Sequence, residues 1–172
     1  MNRIFLIRLI GLFTLTLSYT SYSMVCNGNL EKSAPDERFI LNGNGTATDK
    51  LTNLIWSRCN AGQTWDGKKC IGESGLYTWG EAVIAASKFS LNEGDSWRLP
   101  NMKELMTILE SNCYDPSINA NIFFVEDEFR SYWSSTPTKF NDGSAWMVIF
   151  GYGNTQDFSK LGELHARYVK NL

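Results

Sequence analysis

The chain has 172 residues, of which 20% are charged and 43% are hydrophobic, and its formal net charge at pH 7 is −2. That length suits a single domain with a sizeable hydrophobic core. Its lysines and arginines form no cluster along the sequence. Because phosphate binding needs concentrated basic charge, nucleic acid is not an expected partner.

The first 23 residues have the layout of a secretory signal. A basic start at Arg3 is followed by an apolar run over 4–17 and then by small and polar residues. Ser21 and Ser23 fit the small-x-small pattern, which predicts cleavage after Ser23. A retained membrane anchor is the alternative, but the uncharged run 9–17 is shorter than the ~20 apolar residues that a bilayer requires.

A second alternative for the N-terminus is a lipid anchor on Cys26. Lipoprotein signals carry a small residue before the cysteine, whereas this chain has Val25, so lipidation is not expected. Cleavage after Ser23 would remove Arg3 and Arg8 and no acidic residue, which changes the net charge from −2 to −4. We therefore expect an exported protein in the periplasm, at the cell surface or outside the cell, with no membrane span after cleavage.

All four cysteines follow the predicted signal, and an even number in an exported chain indicates two disulfides. Asp66-Gly67 is a hairpin-turn signal that lies between Cys59 and Cys70. A hairpin brings its two ends together, so Cys59–Cys70 is the favoured pair among the three possible connectivities. Cys26–Cys113 follows by elimination and would tie the start of the mature chain to the middle of the domain.

The pattern after the signal predicts a lead-in followed by one domain. Residues 24–38 are polar and without periodicity, which predicts an extended lead-in, and 39–172 form the domain. Residues 42–58 predict a hairpin with Asn53 in the left-handed conformation that asparagine tolerates.

Two helices are predicted next, over 78–89 and 101–110, and each begins with a capping box. Thr78 and Glu81 form the first box, and Asn101 and Glu104 form the second. Between the helices, Arg98 lies in an apolar segment and is expected to form a structural ion pair with Glu81 or Glu104, because charges are rarely buried unpaired.

The second half changes to strand patterns, at 132–135, 145–150, 154–158 and 165–169. Helices followed by an antiparallel meander indicate the α+β class.

Four ordered segments of this chain resemble a known family. They are 45–56, 59–70, 77–105 and 132–146. The third contains Thr-Trp-Gly-Glu-Ala at 78–82 and Trp-Arg-Leu-Pro-Asn at 97–101, and the fourth begins with Tyr-Trp-Ser-Ser-Thr-Pro at 132–137. In this order they resemble the Lcl C-terminal domain family, named after a bacterial collagen-like adhesin and catalogued as a domain of unknown function. The likeness covers about residues 39–170. The helix pattern with Arg-Leu-Pro is also similar to the sulfatase-modifying group of the C-type-lectin-like fold.

The resemblance implies a C-type-lectin-like domain in which two helices flank a twisted antiparallel sheet with long loops on one side. It also implies a role in attachment, which in the adhesin includes binding of sulfated glycosaminoglycans. The net charge of this chain does not favour a polyanion. Family members often carry a cysteine in the last strand, whereas the stretch 166–170 here has none, which supports pairing of Cys113 with Cys26.

Catalytic and metal-binding signatures are absent from the sequence. It contains no GxSxG, HExxH or paired-carboxylate motif, and His165 is its one histidine. No cysteine follows Cys113, so the cysteine chemistry of the sulfatase-modifying enzymes is not carried over. The acidic stretches 126–128 and 141–143 are interpreted as a solvated run and a turn, and we predict no cofactor, no metal and no enzymatic activity.

The aromatic residues supply the candidates for ligand contact. Trp56, Trp79 and Trp97 are predicted to lie in the core. Strand alternation predicts that one of Tyr132 and Trp133 points inward and the other outward. The candidate ligand-binding residues are Trp65, Trp133 and Tyr152.

The preferred hypothesis is an exported, non-catalytic binding or adhesion domain whose ligand is a glycan or a protein at the cell surface. The alternatives are an enzyme of the sulfatase-modifying fold group with an unrecognised site, and a structural envelope protein. Oligomerisation is left open under each hypothesis.

Overall fold

The computed structural model describes residues 24–125 and 131–172. The predicted signal, 1–23, and the acidic run 126–128 lie outside the described residues.

The described chain contains short strands and two helices. The strands are β1 (Val25–Cys26), β2 (Phe39–Leu41), β3 (Thr46–Asp49), β4 (Leu54–Ser57), β5 (Thr64–Trp65), β6 (Cys70–Ile71), β7 (Cys113–Tyr114), β8 (Ser131–Pro137), β9 (Ser144–Ile149), β10 (Asn154–Ser159) and β11 (Val169–Asn171). The helices are α1 (Trp79–Glu93) and α2 (Met102–Thr107). Neither helix combines the length and the apolar character that a bilayer crossing requires in the part of the chain described.

The strands form antiparallel sheets, which confirms the α+β class. A four-stranded sheet has the order β11-β4-β3-β2, a three-stranded sheet has the order β10-β9-β8, and β1-β7 and β5-β6 are two-stranded. The predicted hairpin is β3–β4, and its turn places Asn53 at φ 56° as expected.

Both predicted capping boxes are present. The Thr78 side chain accepts a hydrogen bond from the Glu81 amide, and the Asn101 side chain accepts one from the Glu104 amide. Helix α1 runs one turn beyond its predicted end and stops at Gly94, whose φ of 64° is unfavourable for other residues.

Helix α2 is shorter than predicted and ends at Thr107. The Glu110 amide donates to the Ser117 carbonyl at 3.0 Å, and Leu109 forms a β-bridge with Ile118. These bonds to the following loop replace the helical bonds of the last predicted turn.

Strand β8 corrects the predicted alternation, because Tyr132 and Trp133 are both fully buried. Tyr132 belongs to a core cluster with Trp56 and Val148, whereas Trp133 belongs to a second cluster with Ala82. An inward-outward alternation requires one solvated face. Here a separate hydrophobic cluster covers each face of β8, so successive side chains are buried on opposite sides.

The last predicted strand, 165–169, is also displaced along the chain, since β11 begins at Val169. The carbonyl of Ala166 accepts a hydrogen bond from the Ala61 amide at 2.9 Å, and that of His165 accepts one from the Trp133 amide of β8 at 2.9 Å. Residues before Val169 therefore bond to several segments instead of one neighbouring strand.

The N-terminal segment 24–38 is irregular apart from β1 and a 3-10 turn at Asp36–Arg38. The disulfide Cys26–Cys113 fixes its start, and the buried Glu110 carboxylate accepts from the Ser33 amide at 2.7 Å and the Ala34 amide at 3.1 Å. The segment is thus tied to the loop that follows α2.

The buried carboxylate of Asp49 makes folding stability depend on pH. Burial raises its pKa, but hydrogen bonds from Arg38, Thr52 and the Leu51 amide outweigh burial, so the pKa lies below its usual 3.8. The stabilisation is complete above the unfolded-state pKa and is lost as pH falls through the lower folded-state value.

We expect the free energy of unfolding to fall as the pH is lowered below about 4, and Asp49→Asn to reduce this slope, because it removes the group that must be protonated. Urea unfolding followed by tryptophan fluorescence at a series of acidic pH values measures both slopes. Equal slopes for the two proteins would contradict the prediction.

Candidate binding cleft

A concavity of the described surface has a volume of about 630 Å³, within the range of small-molecule sites. Ala85, Lys88 and Phe89 of α1 form part of its wall, and the segment from Cys59 to Trp65 forms another part. We call it the α1–β5 cleft. Its lining comes from segments far apart in sequence, including Tyr168 near the C-terminus.

The β5–β6 hairpin positions Trp65 at one wall of the cleft. The predicted disulfide Cys59–Cys70 is present and closes this hairpin, and Trp65 pairs with Cys70 in the ladder. The Trp65 indole donates from Nε1 to the Gly43 carbonyl at 3.1 Å, and the guanidinium of Arg58 lies 4.7 Å from its ring centroid. Trp65 is consequently half-buried, in a fixed orientation.

Gly45 makes this position of Trp65 possible. Its φ is +79°, and a Cβ atom at Gly45 would lie 2.5 Å from Cγ of Trp65. Only glycine therefore combines the backbone conformation with the close approach of the indole.

A buried polar network lies behind the cleft and reaches it through Asn60, which lines the cleft and is only 2% exposed. Its Oδ1 accepts hydrogen bonds from the Tyr132 hydroxyl at 2.9 Å and from Nη2 of Arg167 at 2.7 Å. Its Nδ2 has no hydrogen-bond partner.

Arg167 anchors this network and is fully buried. Its Nη1 donates to the carbonyls of Ser57 at 2.9 Å and Arg58 at 2.6 Å, and its Nη2 also donates to the Phe124 carbonyl. Burial lowers the pKa of Arg167, an effect that Tyr132 opposes. Arginine still remains charged, because its ordinary pKa is far above neutrality.

The rim of the cleft carries two ionisable groups of each sign. Lys88 and Glu93 come from α1, while Asp95 and Lys170 form an ion pair with each other. The hydrogen bond from Lys170, together with that from the Ser96 amide, lowers the pKa of Asp95. The ammonium of Lys170 also lies 5.1 Å from a ring centroid of Trp97.

A smaller pocket of about 110 Å³ also has Trp65 in its lining. Arg58, Lys68 and Lys69 line it, so the fold collects three basic residues that the sequence does not show as a cluster. Arg58 is held in the structure by a hydrogen bond from Nε to the Ile122 carbonyl at 2.8 Å. The two lysines are exposed.

The three sequence candidates for ligand contact lie in different places. Trp65 lines the cleft. Trp133 cannot stack on a ligand at the surface, because its ring is fully buried and its Nε1 donates to the Tyr77 carbonyl at 2.7 Å. Tyr152 is 73% exposed in the β9–β10 turn and does not line the cleft.

The core tryptophans are largely as predicted. Trp56 and Trp97 are buried, whereas Trp79 is half-buried. The Nε1 of Trp79 donates to the Ser134 carbonyl at 2.9 Å, and the ammonium of Lys160 lies over its ring.

Sequence reasoning missed Asn60 as a lining residue of the cleft, and no motif around it signals that position.

The ion pair predicted for Arg98 is with Glu104. Two hydrogen bonds of 2.8 and 2.7 Å join the guanidinium to the carboxylate. These bonds to Glu104 raise the pKa of Arg98. The alternative partner, Glu81, is engaged in the capping box of α1. This pair does not line the cleft.

His165 is buried and contacts Ser74, with 2.8 Å between its Nδ1 and the serine Oγ. The same nitrogen lies 3.2 Å from the Gly75 carbonyl. Neither His165 nor Ser74 lines the cleft. Across residues 24–125 and 131–172, no three His, Cys, Asp or Glu side chains converge as metal ligands would.

Comparison with known families identifies the lineage of this domain. The profile of the Lcl C-terminal domain matches residues 45–170, which is more than half of the chain. The chain belongs to the Lcl C-terminal domain family. The match begins at Gly45, which accommodates Trp65, and includes the Asn60 network of this Lcl C-terminal domain. A comparison with curated proteins finds no match.

Proposed function

We propose that this Lcl C-terminal domain is an exported, non-catalytic binding domain of the adhesin type that recognises a glycan or protein at a cell surface. The α1–β5 cleft carries the proposal, because it combines half-buried aromatic walls at Trp65 and Phe89 with the amide of Asn60. Apolar surface with a few fixed polar groups is the usual composition of a ligand site. A C-type-lectin-like topology is part of the same proposal.

Export is supported by the two disulfides, since such bonds persist in oxidising compartments. The N-terminal signal pattern supports the same location. We therefore place the mature domain in the periplasm, at the cell surface or outside the cell.

The enzyme alternative draws support from the Ser74–His165 contact, which resembles a nucleophile beside a base. A nucleophile must reach a substrate held in a cleft, however, and neither residue lines the α1–β5 cleft. All four cysteines are in disulfides. These observations favour binding over catalysis.

Trp65→Ala tests the proposed site. We expect the purified exported protein to attach to surfaces that display cell-surface glycans or proteins, and the variant to bind about tenfold or more weakly, because buried aromatic anchors dominate recognition. Surface plasmon resonance on those surfaces measures the change, and circular dichroism verifies the fold.

The matched control is Phe140→Ala in the β8–β9 turn. Phe140 is 94% exposed and lies outside the cleft. Phe140→Ala should therefore weaken attachment only if exposed aromatic rings adhere nonspecifically, and should leave binding in the cleft unchanged. Equal losses in the two variants, or no attachment by the wild type, would overturn the proposed function.

A further inference from the structure

We propose that the outer edge of β10 is a self-association surface, on which β10 of a second copy of this chain pairs antiparallel about a two-fold axis at Gln156. This inference goes beyond the proposed function and does not depend on the ligand of the α1–β5 cleft. It commits to one partner and to one register of pairing.

The contacts of β8 establish which way the backbone groups of its sheet point. The Trp133 amide donates to the His165 carbonyl at 2.9 Å, and the His165 amide donates to the Ser131 carbonyl at 3.1 Å. These two bonds point away from β9. The backbone groups of Tyr132, between Ser131 and Trp133, therefore face β9 and the residue paired with Tyr132 there, Val148.

Thr155 and Asp157 of β10 direct their backbone groups to the outer edge of this sheet. Successive residues of a strand in an antiparallel ladder bond to opposite sides. Because the groups of Val148 face β8, those of its neighbour on β10, Thr155, face outward, and so do those of Asp157 two residues later. The Lys160 amide, which donates to the Gly143 carbonyl at 2.8 Å, agrees with this alternation.

This edge of β10 is uncovered in the described structure. Among the hydrogen bonds that join separate segments of residues 24–125 and 131–172, none uses the amide or carbonyl of Thr155 or Asp157. By contrast, β8 bonds along its outer side to His165 and Pro100, and β11 bonds to Arg98. The outer strand β2 has three residues, whereas β10 has six, so β10 presents the longest uncovered edge of the strands described.

The edge of β10 also lacks the features that keep strands apart. Proteins protect uncovered edges with lysine, proline or a bulge, because free N–H and C=O groups are a template for pairing with another strand. Strand β10 contains neither lysine nor proline, its ladder with β9 has no register shift, and its single charge is Asp157. Lys160 follows the strand, but its ammonium donates to the Asp142 carbonyl at 2.7 Å.

A second copy of β10 supplies the complement of this edge. With Gln156 on the two-fold axis, Thr155 of each copy faces Asp157 of the other, and their free amides and carbonyls form four hydrogen bonds. The Thr155 hydroxyl of one copy lies across from the Asp157 carboxylate of the other and can donate to it. The edge is thus complementary to itself, as a two-fold interface requires.

Other registers lose part of this pairing. An axis at Asp157 would place two carboxylates directly opposite each other, which destabilises an antiparallel pair. An axis at Thr155 would pair Asp157 with Gly153, whose amide already donates to the Ile149 carbonyl at 2.9 Å. Larger shifts remove Thr155 or Asp157 from the paired region, so the axis at Gln156 is favoured.

Two exposed apolar side chains flank β10 and support the same arrangement. Tyr152 in the turn before β10 is 73% exposed, and Leu161 in the turn after it is 87% exposed. The two-fold axis brings the turn before β10 of one copy beside the turn after β10 of the other. Tyr152 of each copy then lies near Leu161 of the other, which removes apolar surface from water at both ends of the interface.

Sedimentation equilibrium of the purified exported protein measures the association. We expect a dimer with a dissociation constant on the order of 10–100 μM, because one strand pair with its flanks is at the small end of specific interfaces. The concentration series brackets this range.

Two lysine variants on neighbouring residues of β10 test the register. Gln156→Lys places two ammonium groups opposite each other at the axis and should weaken the dimer about fivefold or more. Thr155→Lys is the matched control, because it adds the same charge but places each lysine opposite Asp157 of the other copy. It should leave the dimer at least as tight as that of the wild type. Circular dichroism verifies the fold of both variants.

Hydrogen exchange of the wild type, followed by NMR, covers the case in which a variant does not fold. The amides of Thr155 and Asp157 should become protected as the protein concentration rises. The Gln156 amide faces β9, so its protection should not depend on concentration.

Three outcomes would overturn the inference. A monomer at every concentration would leave the edge of β10 to a strand of another protein, and a stoichiometry other than two would exclude the two-fold pairing. Equal effects of the two lysine variants, with no change in protection of Thr155 and Asp157, would place the interface elsewhere. Each of these outcomes leaves the proposed binding function, which Trp65→Ala tests, unaffected.

Discussion

Replacing Arg167 with alanine is expected to lower the free energy of unfolding by about 3–5 kcal/mol. The guanidinium is fully buried between the rings of Phe123 and Tyr132, and no carboxylate among the described residues is its partner. Four oxygens accept hydrogen bonds from it. Alanine would leave these acceptors unpaired and a cavity between the rings.

Arg98→Ala is the matched control. Arg98 also forms a bidentate pair, but its side chain is 40% exposed, and water can replace the guanidinium. We expect a loss of about 1 kcal/mol or less. Guanidinium chloride unfolding of the two variants, monitored by tryptophan fluorescence, gives both free energies. A loss at Arg167 no larger than that at Arg98 would show that the buried network does not stabilise the fold.

The second large effect is expected on removal of the long-range disulfide. Cys26 and Cys113 are separated by 87 residues, and a loop of that length corresponds to a chain-entropy stabilisation of about 4–5 kcal/mol. The double variant Cys26→Ala/Cys113→Ala should therefore lose close to this amount. These two cysteines also face each other in the β1–β7 ladder. The N-terminal segment of the double variant should therefore become accessible to protease.

The short disulfide provides the comparison. Cys59 and Cys70 are 11 residues apart, which corresponds to about 3 kcal/mol, so the double alanine variant at these positions should be the more stable of the two. Chemical unfolding and limited proteolysis of both variants test the order. The reverse order would mean that native contacts, and not chain entropy, dominate the effect of these bonds.

The cleft bears on the choice between a binding domain and an enzyme. Its presence means that shape alone does not separate the two, because an enzyme also needs a cleft with converging polar groups. The chemistry of its lining is more informative. Asp95 and Lys170 are engaged with each other, and His165 does not line the cleft, which agrees better with the proposed recognition through ring surfaces than with catalysis.

Local features of this protein were predictable from its sequence because they depend on residues near one another in the chain. The capping boxes at Thr78 and Asn101 and the left-handed Asn53 follow from short-range hydrogen bonding and backbone sterics. The Cys59–Cys70 pair follows from the turn between its members, and ordered motifs were enough to indicate the family. Each of these features was correctly predicted.

Features that depend on which segments meet were decided by the tertiary structure. The sequence alternation at Tyr132-Trp133 carries no information that a separate cluster covers each face of β8, so Trp133 was wrongly placed among the candidates for ligand contact. The end of α2 was misplaced because the Glu110 amide bonds to a later loop.

The cleft is the clearest case of the same division. Its lining includes Asn60, Trp65, Phe89 and Tyr168, which have no spacing in common and meet only in the folded chain. The sequence by itself determined the caps, the turn at Asn53 and the Cys59–Cys70 pair, all of which rest on local chemistry. Only the tertiary structure decided which of these residues share a surface, because long-range packing sets the distances between segments that the chain leaves independent.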